Sequence, residues 1–254
     1  MKIVSWNVNS IKARKDHALR FLNDRAPDVL MIQELKGLEF PQQDFLDAGY
    51  QSVFKAQKAY NGVAIFAKTA PELIHDQLPG MEEDEQARFI EADINGIRMI
   101  NVYCPNGNPY PGPKFDYKLE WMNALYQRLI QLKEQNIPFL IGGDFNIIPE
   151  DIDCYDPKAW QNDALFQPES RAFYRRFTNL GLYDALRIFS SAEQEYTFWD
   201  YTGGAFPSNK GIRIDHFFLS PSLADRTTAC YVDREPREWE RPSDHTSIIL
   251  ELDY

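Results

Sequence analysis

The 254-residue chain carries 27 Lys and Arg against 38 Asp and Glu, a formal net charge of −11, with 44% hydrophobic and 26% charged residues. That balance is ordinary for a soluble globular protein, and no apolar stretch approaches the roughly 20 residues that cross a bilayer, so no membrane role is expected. The three cysteines, Cys104, Cys154 and Cys230, lie far apart in no metal or redox spacing, which excludes a disulfide framework and points to reduced thiols in a cytoplasmic protein.

The N-terminal "KIVSWNV" (2–8) reads as a strand without the apolar core of a signal peptide. A helix over 11–25 follows, with Ile11, Ala18 and Leu22 at helical spacing. Strand patterns then occupy 28–34, 50–56, 62–68, 88–94 and 97–104. The Pro/Gly-rich loop 104–113 opens a helix over 115–136, whose stripe is Leu119, Met122, Leu125, Leu129 and Leu132. Next come a strand over 137–144, a helix over 170–182 ending near Gly181 and a loop over 202–211. Strands over 213–220 and 246–252 complete the pattern. Runs of strands with intervening helices predict two mixed sheets packed together and covered by helices. Without a Pro/Ser-rich linker or a solenoid repeat, residues 1–254 read as one domain.

The stretch "PFLIGGDFNIIPED" (138–151) runs from a buried strand into Asp144 and Asn146. Other predicted strand ends behave alike. They offer Asn7 and Asn9, Glu34, Tyr103 and Asn106, Asp215, and Asp244 with His245. Singly, such residues are turn and cap formers. Their recurrence at strand ends is what a rigid sheet aiming a polar site looks like. The basic residues Lys12, Arg14, Lys15, Lys55, Lys58, Lys114, Lys210 and Arg213 read as solvated surface charges. Trp6, Trp121, Trp160 and Tyr117 read as packing residues and His17 as solvated. His216 should face away from Asp215, its neighbour on the strand.

In order, "WNVN", "QELK", "VYCPNG", "GDFNI", "RIDH" and "PSDH" resemble the motif series of exonuclease III-type apurinic/apyrimidinic endonucleases, within the endonuclease/exonuclease/phosphatase superfamily. "KAYNGVAI" (58–65) and "YTFWDY" (196–201) also match, so the resemblance spans nearly the whole chain. It implies a four-layer α/β sandwich, two mixed β-sheets face to face with helices outside. It also implies metal-dependent hydrolysis of a DNA phosphodiester 5′ to an abasic site, processing of damaged 3′ ends, or both. The implied partner is double-stranded DNA with an abasic site or a blocked or recessed 3′ end, met by a monomer.

A phosphodiester repels nucleophiles, so its hydrolysis needs charge neutralisation and a positioned water. Mg²⁺, or Mn²⁺ in its place, suits such a site because it takes carboxylate, water and phosphate oxygens. By resemblance Glu34, Asn9 and Asp244 are the metal-side residues, and Asp144 activates the water. Asn7, Asn106 and Asn146 hold water and phosphate, and Tyr103 donates to the phosphate or leaving oxygen. His245 contacts phosphate, with Asp215 fixing its tautomer. No Ser or Cys nucleophile motif accompanies the Asp–His pair, which favours direct attack by water. Phe198, Trp199, Ile212 and Ile214 are the candidate lining of a sugar pocket, beside the segment 158–170. Two alternatives remain on this reading: a same-fold phosphodiesterase acting on RNA or non-nucleic phosphoesters, and a non-catalytic nucleic-acid-binding regulator.

Overall fold

In the computed structural model, which describes residues 1–192 and 194–254, the elements follow the predicted order with additions. The first half runs β1 (Lys2–Asn7), α1 (Ile11–Arg25), β2 (Val29–Gln33), α2 (Gln42–Asp47), β3 (Gln51–Lys55), β4 (Val63–Ala67), β5 (Glu72–His75), β6 (Phe89–Ile94), β7 (Ile97–Tyr103) and α3 (Pro113–Glu134). The second half runs β8 (Phe139–Asp144), α4 (Pro157–Trp160), α5 (Pro168–Asn179), β9 (Tyr183–Asp184), α6 (Ala185–Phe189), β10 (Asp215–Leu219), α7 (Pro221–Ala224), β11 (Thr227–Asp233) and β12 (Ser247–Leu252). The described residues thus form two six-stranded sheets, ordered β11-β12-β1-β2-β4-β3 and β5-β6-β7-β8-β10-β9.

Alternation along each strand builds the layers. Ile3, Met31 and Ile65 point inward and meet Ile90, Met99, Leu140 and Phe217 of the opposite sheet. Their neighbours Val4, Leu30, Ile32 and Phe66 face outward onto Ala18, Phe21 and Leu22 of α1 and Phe45 of α2. On the far side Ile100, Ile141 and Phe218 pack beneath Met122, Leu125 and Leu129 of α3 and Phe173 and Phe177 of α5. Strands covered on both faces carry unbroken apolar runs. The result is the expected four-layer α/β sandwich. Among the described residues, no helix is long and apolar enough to cross a membrane.

Two glycines explain how β8 reaches its polar end. A Cβ at Gly142 would lie 2.4 Å from the Phe217 ring, and one at Gly143, where φ is +145°, would lie 2.0 Å from the Val102 carbonyl oxygen. Only glycine lets β8 sit this close to its neighbours just before Asp144.

Candidate active site

The parallel pairing of β7 with β8 sets Tyr103 opposite Asp144, and the antiparallel pairing of β10 with β8 sets Asp215 opposite Asp144. Three adjacent strands therefore present a phenol and two carboxylates abreast. From the other sheet, β1 ends in Asn7, paired with Gln33, and the next residue of that neighbouring chain is Glu34. The turn before β12 adds Asp244 and His245. Non-glycine residues with positive φ gather here: Asn9 (47°), Ser10 (89°), Glu34 (59°), Lys36 (51°) and Asn146 (50°). Such backbone persists only where surrounding bonds fix it. Here Ser10 N–H donates to the Glu34 carbonyl at 2.8 Å and Lys36 N–H to the Asn61 carbonyl at 2.9 Å.

Hydrogen bonds join the two sheets across the site. Fully buried Asn7 donates from Nδ2 to Glu34 Oε1 at 2.9 Å and Asp144 Oδ2 at 3.0 Å. His245 Nδ1 lies 2.8 Å from Asp215 Oδ2, and its Nε2 lies 3.6 Å from Asp144 Oδ2. Asn146 is tied by its own N–H to Asp144 Oδ1, and its Nδ2 donates to the Cys104 carbonyl, while its Oδ1 accepts from Asn106 Nδ2 at 3.1 Å. Asn9 Nδ2 donates to Asp244 Oδ1 at 3.0 Å and to the Tyr201 hydroxyl, and its Oδ1 accepts from Lys36 Nζ. The Lys36 ammonium also lies 2.5 Å from Glu34 Oε2.

These contacts set the charge states. Burial alone would lower the His245 pKa, but Asp215 and Asp144 outweigh it and raise it to about 10, so the ring is an imidazolium at neutral pH. Burial raises Asp144 to about 7, against the pull of His245 in the other direction. Burial opposes ionisation of Glu34 too, yet the Lys36 charge and the Asn7 amide bring its pKa below the usual carboxylate range. Burial, with Glu34 and Asp144 nearby, pushes the Tyr103 phenol well up, so it remains a donor.

Ligating atoms of Glu34, Asp144 and His245 lie within 4.8 Å of one another. An imidazolium with Nδ1 bound to Asp215 is a poor ligand, so within this group the carboxylate oxygens of Glu34 and Asp144 are the ones that could hold a cation; Asn9 and Asp244, the other residues expected on the metal side, hydrogen-bond each other beside it. A hard divalent cation that retains several waters fits such oxygens. Among the described residues Asp215 Oδ1 has no hydrogen-bond partner although it is buried, so only Oδ2 of this acid is engaged, by His245.

A model of the Endonuclease/Exonuclease/phosphatase family matches residues 4–245. The chain belongs to that family. Exodeoxyribonuclease III of Haemophilus influenzae is 34% identical over 99% of this chain and 100% of its own length. A solved structure of a 3′ phosphatase, NExo from Neisseria, bound to a product DNA hairpin, superposes with a TM-score of 0.97 at 39% identity over 100% of both chains. An AP endonuclease from Archaeoglobus fulgidus superposes at 0.95 with 37% identity, again over 100% of both.

Within this family fold, most residues singled out from sequence converge. Tyr103, Asn106, Asp144, Asn146, Glu34, Asp244, His245, Phe198, Ile212 and Ile214 line one cavity of about 590 Å³. Asn7 lies under it through its bonds to Glu34 and Asp144, and Asp215 lies behind His245. Asn9 joins through Lys36 and Asp244. Trp199 does not line the cavity. Fully buried, it packs edge-on against Phe206 at 5.1 Å, its indole N–H donates to Asn209 Oδ1, and its main-chain N–H donates to the Asp244 carbonyl. Alternation explains this: Phe198 faces the site, with its ring 5.0 Å from His245, and its neighbour must face away.

Several residues read as bland have roles here. Trp160 lines the cavity wall with Tyr155 and Leu165, so the segment 158–170 does border the site. Arg14 braces Asn9, donating to its carbonyl at 2.6 Å and to the Tyr201 hydroxyl. Arg213 is no surface charge; it is buried between Asp153 and Asp184. His17 is half-buried against Trp239. Lys36 stood inside the "QELK" motif, but nothing in its spacing announced that its ammonium would bridge Glu34 and Asn9.

Proposed function

We propose that the chain is a Mg²⁺-dependent DNA repair nuclease. It hydrolyses the phosphodiester 5′ to abasic sites, processes damaged 3′ ends, or does both, on double-stranded DNA, as a monomer inside the cell. The observation that carries this reading is the alignment of Tyr103, Asp144 and Asp215 on adjacent strands with His245 between the two acids. A group that must activate water and groups that must neutralise phosphate are thereby within one phosphate's reach of each other.

Asp144, held by Asn7 and the Asn146 N–H, accepts the proton of the attacking water. The imidazolium of His245 turns Nε2–H towards a phosphate oxygen, and Asp215 keeps it charged and oriented. The protonated Tyr103 phenol donates to the phosphate or the leaving oxygen. A cation held by Glu34 and Asp144 would add charge neutralisation and acidify its bound water. Phe198, Leu165, Ile212 and Ile214 supply an apolar floor for a sugar without a base, whose flipping costs less than that of a paired nucleotide. Arg88 and Lys114 line an adjoining groove of about 460 Å³ that shares Tyr103 and Asn106, and Lys210 lines the cavity itself. The groove's lining carries Arg88 and Lys114 with no carboxylate among the described residues, and its positive charge supports binding to DNA despite the net charge of −11, whereas the cavity sets Lys210 and His245 against Glu34, Asp144, Asp163, Asp200 and Asp244. The three cysteines are free and buried, which supports a reducing compartment.

The test uses two labelled duplexes, one with an internal abasic analogue and one nicked with a blocked 3′ end, each with Mg²⁺ and with chelator. Metal-dependent incision of the first establishes abasic endonuclease activity. Cleavage of only the second makes the chain a 3′-end processor. Action on neither duplex moves the substrate outside DNA.

A further inference from the structure

Helix α3 buries a lysine where its apolar stripe would continue. Lys118 stands one turn before Met122 on the buried face and is 0% exposed. Its Nζ donates to the main-chain carbonyls of Asn106 at 3.1 Å and Asn146 at 2.5 Å. No carboxylate lies within 4.0 Å of it among the described residues, although buried ammonium groups are ordinarily paired. Gly107, at φ +91°, makes room for the stem, because a Cβ there would lie 2.8 Å from Lys118 Cδ. Burial lowers the amine to about 8, so it is still mostly protonated at neutral pH.

We propose that Lys118 is a positioning residue of the catalytic centre, clamping the Asn106 and Asn146 loops together from behind with a fixed positive charge. The two carbonyls belong to the residues whose side chains hydrogen-bond each other beside Asp144. Asn106 and Asn146 lie on separate loops, one after β7 and one after β8. The Asn106–Asn146 amide contact and the bond from Asn146 Nδ2 to the Cys104 carbonyl tie the loops on the cavity side, and the ammonium ties their main chains from behind. Asn146 turns the chain at φ 50°, a conformation that Asn tolerates, and the ammonium bonds its carbonyl at that turn. The lysine stays behind the main chain and never touches substrate. Its loss should therefore reach the reaction through geometry and field, not through affinity.

This inference rests on the function proposed above for its kinetic arm and stands apart from it for its structural arm. Lys118→Met matches the stem but removes donors and charge, while Lys118→Gln retains a neutral donor. With the DNA substrate that the parent protein turns over, Lys118→Met should lower kcat about 100-fold, the scale of an ångström-sized misplacement. KM should stay within about twofold. Lys118→Gln should recover about tenfold of that loss. In the ¹⁵N-labelled, metal-free protein, the side-chain amide resonances of Asn106 and Asn146 should move in both variants while distant amides stay in place. Parent-like kcat in folded Lys118→Met, a rise in KM at constant kcat, or unmoved Asn106 and Asn146 resonances would each overturn the proposal. Should the Met variant not fold, Lys118→Gln decides alone by the same readouts, and failure of both to fold would make Lys118 a folding residue only. A parent protein inactive on DNA would sink the functional reading, and the resonances would still judge the clamp.

Discussion

His245 stands between two buried acids, 2.8 Å from Asp215 on one ring nitrogen and 3.6 Å from Asp144 on the other. On the function proposed above, the shorter contact belongs to the acid that orients the ring and the longer one to the acid that accepts the proton of water. Removing one member of such a unit should cost nearly as much as removing two. His245→Ala and Asp144→Asn are each expected to lower kcat by about 10³-fold, within the range for a positioned acid or base. The double variant should fall little further. DNA affinity, measured by anisotropy in chelator, should change less than the rate. Additive losses in the double variant would mean that the two residues act independently.

Lys36 occupies oxygens that a cation would want. Its ammonium lies 2.5 Å from both Glu34 Oε2 and Asn9 Oδ1. A divalent ion bound at Glu34 would compete with this lysine for the same carboxylate, so Lys36→Met is expected to lower the half-saturating Mg²⁺ concentration. A tenfold change corresponds to about 1.4 kcal/mol, a fair scale for one contact charge in a half-buried site. Glu34→Gln should move the same titration the other way. An unchanged Mg²⁺ requirement in both variants would take Glu34 out of the metal site.

Much of this arrangement was legible in the sequence because strand ends aim side chains by simple alternation. Asp144 follows a buried apolar run, and His216 does face away from Asp215, bonding instead to the Ile147 carbonyl and Arg213. Helix α1 was readable to its ends from spacing alone. Pattern fails where an element is short or amphipathic signal is thin. Strand β9 has two residues, β5 four, and edge strand β11 alternates around Thr and Tyr without a clear apolar face. It fails again where a charged side chain does a buried job. Arg213 and Lys118 look like surface residues in any one-dimensional reading, and only the tertiary arrangement shows which carboxylates or carbonyls receive them.

Phe198 joins the apolar wall of the cavity to His245. Its ring meets His245 at 5.0 Å and 67°, and its backbone pairs with both Ile212 and His245. Phe198→Ala should raise KM for an abasic duplex by lost contact area and also lower kcat by loosening the imidazolium, each by roughly tenfold on the scale of one truncated aromatic. Phe198→Leu should restore kcat more than KM. Steady-state kinetics on the abasic duplex separates the two effects, and a change in KM alone would confine Phe198 to the pocket floor.

His216 gives the fold an acid-sensitive point away from the catalytic centre. Burial, then the Arg213 charge, lowers its pKa from 6.5 to about 4, so it is neutral in the folded protein. Above pH 6.5 neither the folded nor the unfolded state binds this proton, and the residue has no pH-dependent effect. Below that, the unfolded chain binds it while the folded one resists down to about pH 4, so stability falls through this window by roughly 3 kcal/mol. His216→Gln cannot titrate but keeps a donor for Ile147. It should be less stable than the parent at pH 8, where its packing against Phe145 and Phe218 is lost. Towards pH 4 the gap should narrow as the parent alone is penalised. Urea unfolding at pH 8, 6.5, 5 and 4 reads this directly, and parallel curves for the two proteins would place the acid sensitivity in other groups.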